Sequence, residues 1–222
     1  MRLPFGIPFP RALYFAIGFA PIAALCFALF GFVPLHLSAK FFVLPALAIG
    51  VAYGLRHRRW GRLALTGFLA GIVATGAYDV LRLGLVWAGM WGDFIPAIGR
   101  MALLDHQAHP FWGYLWRFIG NGGGMGLAFA MLPWRHLKGG VVYGTVICFC
   151  LFGTILLAPH ASRELFTLGP ATAAGALAGH WVYGAILGWL AGSWGRAPEA
   201  IERVVPQGEA PMAERREADS QA

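Results

Sequence analysis

Five residues inside otherwise apolar stretches carry groups able to do chemistry: Asp79, Arg82, Arg117, Asn121 and His180. Asp79 and Arg82 stand three apart, which makes them neighbours on one helix face. An ionisable group at the centre of a membrane span costs about 2.5–3.5 kcal/mol on insertion scales, so such groups mark relays, substrate contacts or mutual ion pairs. For Asp79 and Arg82 the readings are a proton or ion relay, a substrate contact in an outer cavity, or an intrahelical pair with Arg82 snorkelling outward. Arg117 follows Trp116 and precedes Asn121 by four; it either faces Asp79 across a helix pair, binds an anionic group, or snorkels. His180 suits a metal or haem, a proton shuttle, or a hydrogen bond to a neighbouring helix.

The other histidines widen the metal question. His106 and His109 precede Pro110, and His160 ends an apolar run; with His180 they are expected on one side of the membrane. No two share a ligand spacing on one helix, so His109, His160 and His180 are candidates without a motif. Cys26, Cys148 and Cys150 all lie in apolar runs and read as small buried hydrophobes. No phosphate-binding glycine loop, nucleophile elbow or HExxH is present, and no carboxylate pair suits acid–base catalysis. The sequence therefore leans away from an enzyme and requires no cofactor; haem or a metal is the minority reading.

The elements that must position these groups follow from composition. Of 222 residues, 58% are hydrophobic and 12% charged, against about 25% charged in soluble domains. The fold class is an all-α integral membrane protein of about six transmembrane helices, over 11–37, 41–55, 63–85, 111–132, 139–158 and 171–194. Residues 1–196 form one domain, 87–110 an outer interfacial segment, and 197–222 a tail too polar to bury, expected disordered. The first apolar run continues past Cys26, so it reads as a retained helix rather than a cleaved leader.

The net charge of +7 sits in short loops, which points to orientation and anionic lipid rather than nucleic acid. Arg56, Arg58, Arg59, Arg62, Arg135, Lys138, Arg2, Arg11 and Arg196 fall on one side of a six-span arrangement. Both termini are then cytoplasmic, in an inner membrane. Trp60, Trp134, Trp189 and Trp194 fall at the inner boundary and Trp87, Trp91 and Trp112 at the outer one, in agreement.

Small residues recur every four positions. Gly67, Gly71, Thr75 and Asp79 stripe span three; Trp116, Gly120, Gly124 and Ala128 span four; Gly140 and Gly144 span five; His180, Gly184, Gly188 and Gly192 span six. Such faces admit close helix–helix approach, within a chain or between copies. Their order suggests that spans three–four and five–six are parallel copies of one hairpin. The run Gly120–Asn121–Gly122–Gly123–Gly124 is either a break that lines a binding site or a tightly packed face.

The last helix, His180, Trp181, Val182, Tyr183, Gly184 and then Gly188, resembles a loose set of small bacterial multi-pass inner-membrane proteins of unassigned role. The resemblance implies a shared bundle over spans three to six and no activity. Three functions stay open: a transporter or permease module for a small solute or ion, with an outer-facing polar path through Asp79, Arg82, Arg117, Asn121 and His180; an accessory or anchor subunit, haem- or quinone-binding, in a larger complex or homo-oligomer; or a structural, lipid-interacting protein without chemistry.

Overall fold

Prolines stand in the first turn of several helices. Proline suits the first helical turn, where its missing N–H has no intrahelical partner to lose. Pro10, Pro45, Pro96 and Pro110 stand there in α1 (Phe9–Leu29), α3 (Leu44–Arg56), α5 (Ile95–Leu103) and α6 (Pro110–Leu115). The remaining helices are α2 (Leu35–Ser38), α4 (Arg58–Trp87), α7 (Gly124–Ala130), α8 (Leu137–Leu157), α9 (Ala161–Glu164) and α10 (Pro170–Trp194). This computed structural model describes residues 8–105 and 107–194. Arg2, His106, Arg196 and the tail 197–222 lie outside them. Among the described residues the architecture is all-helical, without sheet.

Four helical stretches are long and apolar enough to cross a membrane: Phe9–Leu29, Leu35–Arg56, Arg58–Trp87 and Leu137–Leu157. The second joins α2 and α3 through a π turn, Ala39–Val43. The other two sequence-predicted spans take a different form. The fourth is helical from 110 to 130 but passes through a π segment, Trp116–Gly123, between α6 and α7. The sixth is helical over Pro170–Trp194 as α10 but is not among these four stretches.

The long helices pack as a curved row. α10 lies between α8 and α4, α4 between α10 and α7, and α7 between α4 and α1. Glycine sets each crossing. A methyl group on Gly67 or Gly71 of α4 would overlap the backbone at Gly126 or Gly122, and one on Gly140 of α8 would overlap the Gly184 carbonyl of α10. Gly144 meets the His180 backbone, and Gly188 meets Gly140. In span four the stripe Gly120 and Gly124 faces α1. Gly124 lies against Gly18 of α1 and Gly120 against Pro21. The face turned to α4 is Gly122 and Gly126. The two pairs are offset by two residues and so lie on opposite sides of the helix, which lets one glycine run serve two neighbours.

α5 folds over one end of the bundle. Ile95 and Ile98 are buried, and Gly99 and Gly113 let α5 and α6 meet backbone to backbone. Trp91, Phe94 and Phe166 stack beneath it. The outward faces are apolar: α3 buries Gly50 alone, while Leu55, Val80 and Leu157 are exposed. Water would not tolerate so large a continuous apolar surface; lipid does.

Candidate functional site

α4 brings Asp79 and Arg82 to the same inward face, as their three-residue spacing requires. The Asp79 Oδ1 accepts from the Arg82 Nε at 3.0 Å and from the Arg117 Nε at 2.7 Å. Arg82 does not snorkel: it is fully buried. Its Nη1 donates to Asp93 Oδ1 at 3.0 Å and its Nη2 to the Tyr114 hydroxyl at 3.0 Å. Arg117 turns inward from the π segment, 2.6 Å from Asp79 by its Nη2 and 4.6 Å above the Tyr78 ring. The result is a chain, Arg117–Asp79–Arg82–Asp93, of two cations and two anions. It runs from the bundle interior to Asp93, whose side chain is 34% exposed. Buried charges are tolerable only when paired and hydrogen-bonded. One acceptor remains open: Asp79 Oδ2 is buried without a partner.

Arg117 also borders a cavity of about 500 Å³. α1 lines it from Phe15 to Leu29 and α8 from Val142 to Thr154, with Arg117, Asn121 and Met125 as part of its floor. Fourteen helical residues rise about 20 Å, two-thirds of a bilayer's hydrocarbon thickness of about 30 Å. The cavity exists because the row of helices curls without closing. α1 and α8, its two ends, touch at the Phe19–Tyr143 ring contact and where Cys26 Sγ lies 3.9 Å from the Thr154 hydroxyl. Val142, Val146 and Cys150 line the cavity and are also exposed on the bundle surface, so it opens sideways, along the α8 face.

The polar groups of the cavity cluster around the π segment. Asn121 is buried, and its Oδ1 has no partner; it does not bond across the interface. His180 is buried too. Its ring meets Tyr78 edge-on, with centroids 5.1 Å apart, and its Nδ1 lies 2.7 Å from the Ala176 carbonyl of its own helix. Thr75, Tyr143 and Tyr183 join them there, while Thr154 lies apart, toward the other end of α8. The Tyr183 hydroxyl reaches the Gly122 carbonyl at 3.0 Å and Tyr143 that of Met125 at 2.9 Å.

The candidate metal ligands are not brought together. His180 lines the cavity, His109 pairs with Asp105 at 2.7 Å, and His160 borders a separate cleft beside His36. Among the described residues no group of three or more His, Cys, Asp or Glu is arranged to hold a metal ion.

Sequence reasoning singled out the charges and passed over the hydroxyls. Tyr78, Tyr114 and Tyr143 carry no assignment there, and Tyr183 only a place in the last-helix pattern. The usable signal was position: Tyr143 and Tyr183 each stand immediately before a stripe glycine, Gly144 and Gly184, and so on the edge of a packed face. Neither protein-family models, nor curated proteins, nor solved structures give a match to this chain.

Proposed function

We propose that the protein is a six-span inner-membrane bundle, both termini cytoplasmic, that binds and passes an amphiphile: an elongated apolar molecule with one compact polar end. The observation that carries this reading is the cavity. Its walls are mostly aliphatic and aromatic, it runs along α1 and α8, it opens on the apolar outer surface, and most of its polar groups gather near the π segment. Ligand sites of this kind use an apolar lining for affinity and a few fixed polar groups for orientation. A small inorganic ion gains nothing from such walls. The transporter reading of the sequence is thereby narrowed from solutes and ions in general to lipid-like molecules entering between α1 and α8. The glycine contacts of α4 with α7 and of α8 with α10 are consistent with two copies of one hairpin, whose junction would hold the site.

Flux of a fluorescent long-chain amphiphile across protein-containing liposomes tests the proposal. Val146→Trp, at the mouth, is expected to slow flux several-fold. Val80→Trp, on the outward face of α4, is expected to leave it unchanged. Equal rates for both variants and for protein-free liposomes would refute passage through this cavity.

A further inference from the structure

One side chain brings a strong charge to the wall of the cavity. Among the described residues that line it there is no Asp or Glu, and Arg117 is the one Arg or Lys. A guanidinium carries five N–H donors in a rigid plane. Arg117 turns one edge, Nε and Nη2, to a single oxygen, Asp79 Oδ1. Its Nη1 meets no acceptor of the chain and keeps accessible surface. The other edge, Nη1 with the second proton of Nη2, therefore stands open beside the cavity. The Tyr78 hydroxyl is uncommitted as well. Its ring lies 4.6 Å beneath the guanidinium and lines the same cavity, and its O–H makes no bond within the described chain.

Charge leads the same way. Asp79 already has a counter-charge in Arg82, 3.0 Å away on the same oxygen, so Arg117 is a second cation on one carboxylate. The three inner members, Arg117, Asp79 and Arg82, sum to one positive charge. The anion that balances it, Asp93, sits at the far end of the chain on Arg82 and is 34% exposed. Asp79 itself is not among the lining residues. What the cavity meets is the cationic end. A positive charge with apolar surroundings attracts an anion far more strongly than one in water. A planar N–H fork matches a carboxylate or a phosphate through two parallel bonds.

Resting on the amphiphile reading, we infer that the polar end of the molecule bound here is an anion, a carboxylate or a phosphate, held by the open edge of Arg117 with the Tyr78 hydroxyl as a second donor. A fatty acid and a lipid phosphate share this chemistry.

The test uses the full-length protein in phosphatidylcholine nanodiscs. Binding of radiolabelled ionised hexadecanoate, hexadecyl phosphate, hexadecanol and hexadecyltrimethylammonium is measured over protein-free discs. Hexadecanol keeps the wall contacts and is expected to bind about tenfold more weakly than the better of the two acids, the scale of one charge-assisted hydrogen bond. The ammonium is expected to bind most weakly. Tighter hexadecanoate assigns the anion to a fatty acid and tighter hexadecyl phosphate to a lipid phosphate, either upholding the inference. The preference is expected to vanish in Arg117→Gln. It is expected to shrink in Tyr78→Phe, which keeps the ring under the guanidinium. Hexadecanol or the ammonium bound as tightly as both acids, or a preference undiminished in Arg117→Gln, overturns the anion inference and leaves the amphiphile reading standing. Binding of none overturns both. Where Arg117→Gln fails to fold, the ligand series in the wild type and in Tyr78→Phe decides.

Discussion

Asp79 holds two arginines through one oxygen, so its loss leaves two buried guanidiniums short of a counter-charge. Asp79→Asn should cost about 3–5 kcal/mol of stability, the scale of breaking a buried pair from one side. Asp93→Asn removes a partner at the exposed end of the same chain, leaves Arg82 on Asp79, and should cost about 1 kcal/mol or less. Thermal unfolding of the two variants in the same detergent measures the difference. At this scale the sequence is legible where charge meets spacing. The pairing of Asp79 with Arg82 follows from three residues of helix, and their rarity in apolar runs marks them out. Asp93 and Tyr114 come to Arg82 from a loop and another helix, at separations of 11 and 32 residues, and no local pattern announces such partners. The tyrosine hydroxyls stayed hidden because an aromatic ring in a span reads as bulk until its neighbours are known.

The helices owe their arrangement to where glycine lies, and position on the helix matters more than glycine itself. On α8, Gly140 faces the Gly184 carbonyl while Gly153 has open space where a side chain would stand. Gly140→Ala should destabilise the fold by about 1–3 kcal/mol through overpacking. Gly153→Ala should be neutral or stabilising by about 0.5–1 kcal/mol, since alanine loses less freedom in a helix. Unfolding of this pair separates packing from helix propensity within one element. Four-residue spacing made the stripes of α4, α8 and α10 readable. The stripe of span four has its neighbour too: Gly124 meets the Gly18 backbone and Gly120 meets Pro21, both of α1. Gly122 and Gly126 stand two positions on, on the opposite side of the helix, and meet α4; the spacing marks each face without naming its partner. Arg117 and Asn121, four apart within the π segment Trp116–Gly123, both line the cavity.

Over the whole molecule, the apolar composition and loop charges lead to a helical bundle in lipid, and four of its helices are long and apolar enough to cross. The six-span arrangement predicts that single cysteines introduced at His57 and at Ser193 share one side of the membrane, with one at Gly89 on the other. An impermeant thiol reagent on intact and opened cells, in a background without the native cysteines, reads this directly. The cavity was not legible in the sequence at all. It arises from the curl of a row whose ends nearly meet, a property of crossing angles that no single segment encodes. Lipid-like molecules should occupy that cavity in the membrane. The measurement is photocrosslinking of a diazirine-tailed long-chain alcohol to the protein in native membranes, mapped by peptide mass spectrometry. The prediction is label concentrated on 15–29, 117–125 and 142–154, and competed by unlabelled alcohol. Label spread along lipid-facing α3 and the outer face of α4, without competition, would contradict it.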